Sequence, residues 1–238
     1  MENRNGKIIL IEGTDCSGKE TQTKRLIKKL EDEGKKVISF SFPCYDTPTG
    51  KIVGGPYLGK PEIGESYFGL SALTLDPKIA SLYFAADRKY NLTQVNNYLD
   101  QGYYVILDRY VTSNMAHQGG KIPNRKDRFE IYNWIDKLEY GLLELPKPDL
   151  TIFLHVPFVY AKELKKNRQS LDIHEKSDAH LINAEMSYLE LADIYGWNKI
   201  ECIRDGKLRT IEDIGDEVYS IVDGLDKEKV KTRVRKME

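Results

Sequence analysis

Short unbroken apolar runs alternate with longer amphipathic stretches along this chain. Residues 7–12 read K-I-I-L-I-E. A run that is apolar at consecutive positions suits a strand covered on both faces, as in a parallel sheet. Similar runs at 36–42, 103–108, 150–156 and 199–204 predict four more strands. Helical patterns lie between them. Residues 19–33 carry a stripe of Leu26, Ile27 and Leu30 among Lys, Arg and Glu, and Gly34 is placed to end that helix. Asp76-Pro77 reads as an N-cap followed by proline at the first helical position, opening a helix to about Leu99. Further helices are expected at 126–143, 158–168, 177–195 and 210–222. Residues 43–76 carry many Pro and Gly without sustained periodicity, which predicts a long loop with short helical pieces. The alternation predicts an α/β fold: one doubly wound, five-stranded parallel sheet with helices on both faces.

Composition narrows the class. Hydrophobic residues are 40% of the 238 and charged residues 31%. That supports a core and excludes a disordered or collagen-like chain. A net charge of −1 gives no global basic field for a nucleic-acid backbone, so no nucleic-acid partner is expected. The first apolar run, 8–11, is far shorter than the roughly 20 residues of a membrane span, and no secretory signal precedes it. Cys16, Cys44 and Cys202 are too sparse for a disulfide framework or a zinc site. These features predict a cytoplasmic location and no membrane partner.

Gly13-Thr14-Asp15-Cys16-Ser17-Gly18-Lys19 has GxxxxGK spacing, after a predicted strand and before a predicted helix. Such glycines let backbone N–H groups curl around phosphate oxygens. The helix N-terminus adds partial positive charge, and Lys19 a full one. Residues 13–21 are therefore expected to hold the phosphates of a nucleoside triphosphate. Glu20 stands where Ser or Thr is usual, with Thr21 one step later. Glu20 is either a metal ligand, directly or through water, or an acid favoured by the helix dipole.

Other segments narrow the acceptor. Phe42-Pro43 ends the second strand, and Asp108-Arg109-Tyr110 the third. Residues 82–88 read L-Y-F-A-A-D-R, 113–119 S-N-M-A-H-Q-G, 145–149 L-P-K-P-D and 172–175 D-I-H-E. In this order, with I-E-G-T-D at 11–15, the chain to about residue 222 resembles the thymidylate kinases. The resemblance implies a P-loop nucleoside-monophosphate kinase fold that transfers phosphoryl from ATP, with Mg²⁺, to dTMP. It also implies a homodimer. Phe84 and Arg88 are four apart on one helix face, so a ring can stack on the base while a guanidinium reaches its edge. The resemblance places Ser113, Asn114 and Gln118 at the base edge and His117, where relatives often have Tyr, near the sugar. Phe42, Pro43 and Tyr45 complete the dTMP site. Arg109 would hold the acceptor phosphate, a task for a planar fork. Asp108 would serve the Mg²⁺–phosphate region, and Asp15 would face the acceptor's sugar hydroxyl or a metal.

Lys162, Lys165, Lys166 and Arg168 cluster before a polar break. The cluster is either a solvated helix face or, over about 161–176, a lid that brings charge to the transferring phosphoryl group. Cys16 leaves the phosphate loop without the arginine that some family members carry there, so Arg168 is the expected catalytic lid residue, with Lys165 and Lys166 behind it. Asp172 and Glu175 match the family's lid acids. Residues 1–225 read as one kinase domain and 226–238 as a charged, frayed tail. A kinase for another nucleoside monophosphate or a deoxynucleoside, or a P-loop ATPase or GTPase switch, are the alternatives.

Overall fold

The computed structural model describes residues 5–165 and 172–235. Five strands, β1 (Lys7–Gly13), β2 (Val37–Ser41), β3 (Tyr104–Asp108), β4 (Leu150–His155) and β5 (Asn198–Glu201), form one sheet in the order β2-β3-β1-β4-β5. Every neighbouring pair is parallel. Alternate side chains of β1 point to opposite faces. Ile8 and Leu10 join the core beneath α3 (Pro77–Asp100), α4 (Val111–Gly119), α5 (Arg125–Asp136) and α7 (Asp178–Tyr195). Ile9 and Ile11 join the opposite core, beneath α1 (Lys19–Asp32), α6 (Phe158–Lys165) and α8 (Ile211–Arg235). The doubly wound α/β expectation holds.

Four details differ from the sequence expectation. Residues 126–143 form α5 followed by a π-helical turn, Lys137–Leu142. Glu139 lies in that turn and is fully buried. The last strand stops at Glu201, and a hairpin of β6 (Ile203–Arg204) and β7 (Lys207–Leu208) follows. Asp205 and Gly206, with φ of 52° and 72°, supply its turn, a pairing that favours positive φ at both positions. The run 113–119 lies on α4, which the sequence reading did not assign. The final helix extends to Arg235, past the expected end at 222.

Residues 43–76 contain α2 (Pro48–Ile52), a π-helical turn and a 3₁₀ turn, and they have a small core of their own. Val53, Tyr57, Leu58, Ala72 and Ala80 are buried there, with Phe84 and Ile173 packed against them. Asp87 of α3 fastens the start of the segment, accepting hydrogen bonds from the Cys44 N–H at 2.8 Å and the Thr49 hydroxyl at 2.9 Å. No helix of the described residues is long and apolar enough to cross a membrane.

Candidate active site

A cleft of about 570 Å³ opens at the carboxyl ends of the strands, where ligands bind in open α/β sheets. The loop between β1 and α1 forms its floor. A methyl group on Gly13 would lie 2.4 Å from Ser17 Oγ and 2.8 Å from the Leu154 carbonyl oxygen, so the loop closes only over glycine. Gly18, with φ of 81°, caps α1, and Cys16 takes the same left-handed region at 61°. Positive φ at a non-glycine residue is a strained conformation that concentrates at functional sites. Thr14 Oγ1 donates to the Val156 carbonyl at 2.9 Å and ties the loop to the end of β4.

Lys19 folds back over the loop and donates to the carbonyls of Gly13 and Thr14, both at 3.0 Å. Burial, and next the Arg109 charge, lower its pKa to about 8. Among the described residues no carboxylate oxygen pairs with the ammonium at hydrogen-bond distance, and phosphate oxygens would complete its neighbourhood. The Ser17 hydroxyl is buried and has no partner among the described residues. Glu20 points to solvent and pairs with Lys24 at 2.5 Å, and Thr21 is exposed. The Glu20 geometry agrees with the helix-dipole reading rather than a metal-ligand role.

Arg109 is the centre of the cleft. It has a φ of 64° and forms an ion pair with Asp15. It also donates to the Tyr188 hydroxyl at 3.1 Å and contacts His117 Nε2 at 3.3 Å. Tyr188 donates to Ser113 Oγ at 2.9 Å, and Ser113 donates to Glu12 at 2.6 Å. Thr112 gives Glu12 a second bond at 2.6 Å. Burial raises the Glu12 pKa, opposed by these two hydroxyl bonds. Ser113 thus positions Arg109 through Tyr188 instead of offering a free hydroxyl to a base. One Asp108 oxygen, Oδ1, is buried without a hydrogen-bond partner among the described residues.

The far wall carries Phe84 and Arg88, both on α3 and both lining the cleft, as the four-residue spacing requires. Phe84 is half-buried and meets the Tyr57 ring edge-on, with centroids 5.6 Å apart. The buried Arg88 is held by both oxygens of Glu139, at 2.5 and 2.7 Å. Asn114 Nδ2 reaches the same carboxylate at 2.9 Å, and its Oδ1 is buried without a hydrogen-bond partner among the described residues. Gln118 is fully buried, and among the described residues neither of its amide atoms makes a hydrogen bond of good geometry. Phe42 is buried against Tyr110, and Pro43 and Tyr45 border the cleft. Lys60 brings its ammonium to 4.9 Å from the Tyr45 ring.

Comparison with known proteins agrees with this geometry. The family model described as thymidylate kinase matches residues 11–212. The chain belongs to the thymidylate kinase family. A thymidylate kinase of Prochlorococcus marinus (strain NATL2A) is 30% identical over 231 residues, covering 91% of this chain and 98% of the relative. That of Plasmodium falciparum (isolate 3D7) is 27% identical, covering 93% and 91%. The solved structure of thymidylate kinase from Candida albicans superposes with a TM-score of 0.71 at 27% identity, covering 93% of this chain and 92% of that one. The fold is thus that of the P-loop nucleoside-monophosphate kinases, and the chain is an enzyme of that class.

Against the thymidylate kinase pattern, the lid segment is placed in part. α6 ends at Lys165, and Lys166 and Arg168 lie outside the described residues. Asp172 and Glu175 both border the cleft and cap each other. The Asp172 N–H donates to Glu175 at 3.0 Å, and the Glu175 N–H to Asp172 at 2.9 Å. Burial, and then the Glu175 charge, raise the Asp172 pKa to about 6. Sequence reasoning missed Glu12, Glu139, Tyr188 and Lys60. Only Glu139 left a trace, as an acid on the apolar side of the predicted 126–143 helix.

Proposed function

We propose that this enzyme carries out the reaction of its family, ATP + dTMP giving ADP + dTDP, with the residues of this cleft in the following roles. One observation carries the reading: the Lys19 loop and the Asp15–Arg109 pair share a single cleft with the Phe84–Arg88 wall. Residues 13–21 hold the donor phosphates. Leu208 and Ile211 border the cleft, and Gln22 of the loop helix bonds the Ile211 carbonyl at 3.0 Å, which suits an apolar donor base there. Arg109, set by Asp15, Tyr188 and His117, holds the acceptor phosphate. Phe84 stacks on thymine. Arg88, with its charge balanced by Glu139, presents its guanidinium edge, and Asn114 and Gln118 offer amide groups.

The acceptor is already an anionic phosphate oxygen near neutral pH, so no general base is required. Rate then comes from alignment and from charge placed on the equatorial oxygens of a loose transition state. Lys19 supplies part of that charge, and Arg168, with Lys165 and Lys166, would supply the rest from the lid. The donor set fits Mg²⁺: Asp108 has a buried, unpartnered oxygen, and hard carboxylate oxygens are what that ion prefers. Asp108 would hold it, with Asp15 beside it, and the ion would supply charge neutralisation for the transferring phosphates. Glu20, turned to Lys24, is left out of that set.

Ile79, Leu82 and Tyr90 of α3 are exposed at helical spacing, a stripe that suits the expected homodimer. Light scattering should give twice the chain mass. None of the three cysteines is in a disulfide, in keeping with a cytoplasmic location. The near-zero net charge supports small nucleotides, not nucleic acid, as partners. The deciding experiment is ADP release with MgATP across a panel of nucleoside monophosphates and deoxynucleosides. The highest kcat/KM is expected for dTMP. Preference for another acceptor would replace the substrate, and nucleotide hydrolysis without any acceptor would replace the kinase reading.

A further inference from the structure

Three histidines meet beside the acceptor site, from three separate pieces of chain. His117 lies on α4, His174 on the turn after Asp172, and His180 in the first turn of α7. One ligand nitrogen from each can be chosen so that all lie within 4.8 Å of one another. His117 Nδ1 and His180 Nε2 are already 3.1 Å apart, and the His174 and His180 rings are 4.4 Å apart between centroids. His174 and His180 are buried, and His117 is half-buried. A cluster of stacked rings would pack as well with Phe or Tyr. Imidazoles in its place bring one possible ligand nitrogen from each ring within 4.8 Å of the others.

We propose that His117, His174 and His180 form a binding site for a divalent transition metal of the zinc type, apart from the magnesium–phosphate region. Zinc takes three imidazoles readily, with Zn–N of about 2.0–2.1 Å, which sets the nitrogens about 3.4 Å apart in a tetrahedron. The His117–His180 pair is near that spacing, and His174, whose Nε2 lies 3.4 Å from the Tyr57 hydroxyl, would turn to complete the set. Nitrogen donors favour zinc, copper or nickel over Mg²⁺, which requires oxygen. The ligands must be neutral to bind. Burial, and next the neighbouring imidazoles, lower His174 and His180 to about 3, and burial with the Arg109 charge holds His117 well below its usual value. His117 and His174 also border the cleft, so a fourth position would open towards it for water.

The proton balance links this site to Arg109. Without metal, Arg109 donates to His117 Nε2, so the His117 proton sits on Nδ1 and is shared with His180. Metal on Nδ1 moves that proton to Nε2, where it faces the Arg109 donor. Arg109 must then release His117 while retaining Asp15 and Tyr188. No proton is lost overall. Occupancy therefore changes the setting of the residue that the acceptor phosphate meets.

The test is metal binding to the nucleotide-free protein. Zn²⁺ titrated calorimetrically should bind once per chain, with Kd in or below the micromolar range, in millimolar Mg²⁺. His174→Gln and His180→Gln should each weaken it by more than the roughly 10–100-fold seen for losing an outer hydrogen-bond partner of a ligand. Circular dichroism and melting of the metal-free variants would establish that they fold. Co²⁺ added to the unaltered protein needs no variant and should give the intense visible bands of a four-coordinate nitrogen site. Only the weak spectrum of hydrated Co²⁺, or equal Zn²⁺ affinity in folded variants, would overturn the proposal.

Discussion

At the scale of single residues, the cleft is organised by where charge is placed and what balances it. Lys19 holds its ammonium over two loop carbonyls with its pKa lowered to about 8, burial being the larger cause. It is therefore protonated below that pH and loses its charge above it. In pH–rate profiles, kcat/KM for ATP should fall as pH rises through about 8, because this parameter follows the free enzyme. Once phosphates are bound they favour the charged form, so kcat should stay level to higher pH. A kcat/KM that is flat through that range would remove Lys19 as the phosphate-binding charge. Lys19→Ala should lower kcat by more than about 10²-fold in the same assay, the scale for losing one preorganised donor. Glu139 works differently. Arg88 lines the cleft and Glu139 does not, and Glu139 keeps that buried guanidinium in place. Glu139→Ala leaves that charge unpaired, which costs about 3–5 kcal/mol in comparable buried pairs. Denaturant unfolding should report a loss of that order. KM for dTMP should rise with little change in KM for ATP, and an equal rise in both would make Glu139 structural only.

At the scale of elements, α6 and the Asp172–Glu175 turn flank the stretch that holds Lys166 and Arg168. The phosphate loop has Cys16 in a left-handed conformation and no arginine, so the lid is the expected source of a transition-state guanidinium. Arg168→Ala should lower kcat by at least about 10²-fold with modest change in either KM, inside the range of up to about 10⁵ known for such arginines. Steady-state kinetics decides it. A loss found only in a Lys165→Ala/Lys166→Ala pair would move the charge one turn back, and no loss in any of them would return the cluster to a solvated helix face. The elements around the acceptor were only partly legible beforehand. Helical periodicity marked 126–143 but not the π-helical turn within it, because an inserted residue leaves the apolar pattern nearly unchanged. The Asp205-Gly206 turn was a readable hairpin signal and was passed over.

At the scale of the whole molecule, His155 joins three elements at the edge of the sheet. It ends β4 and bonds Glu201 of β5 at 2.7 Å and Glu185 of α7 at 2.8 Å. The other Glu185 oxygen accepts the Phe158 N–H at the start of α6, at 2.9 Å. Burial opposes the imidazolium, but the bonds to Glu185 and then Glu201 together outweigh it and raise the pKa above the usual 6.5. A raised folded-state pKa means that the stabilisation is complete below about 6.5 and is lost as pH rises through the higher folded value. The Tm difference between the protein and His155→Gln should accordingly be largest on the acid side and shrink with rising pH. A difference independent of pH would mean that His155 acts by packing alone.

What the sequence determined by itself was the frame and the phosphate loop. Short consecutive apolar runs bounded by turn residues suit a strand covered on both faces, and Gly13 and Gly18 are needed at a close approach and a left-handed cap. Such constraints are local, so a short stretch of chain carries them whole. Phe84 and Arg88 were legible for the same reason, since a helix sets residues four apart on one face. What only the tertiary structure decided was which groups balance one another. Glu139 is 51 positions from Arg88, and Tyr188 is 79 from Arg109. His117 and His180 are separated by 63 positions. The sheet order and the packing of α4 against α7 bring these pairs together. Buried charges and polar groups must find partners wherever the fold places them, and no spacing along the chain records that.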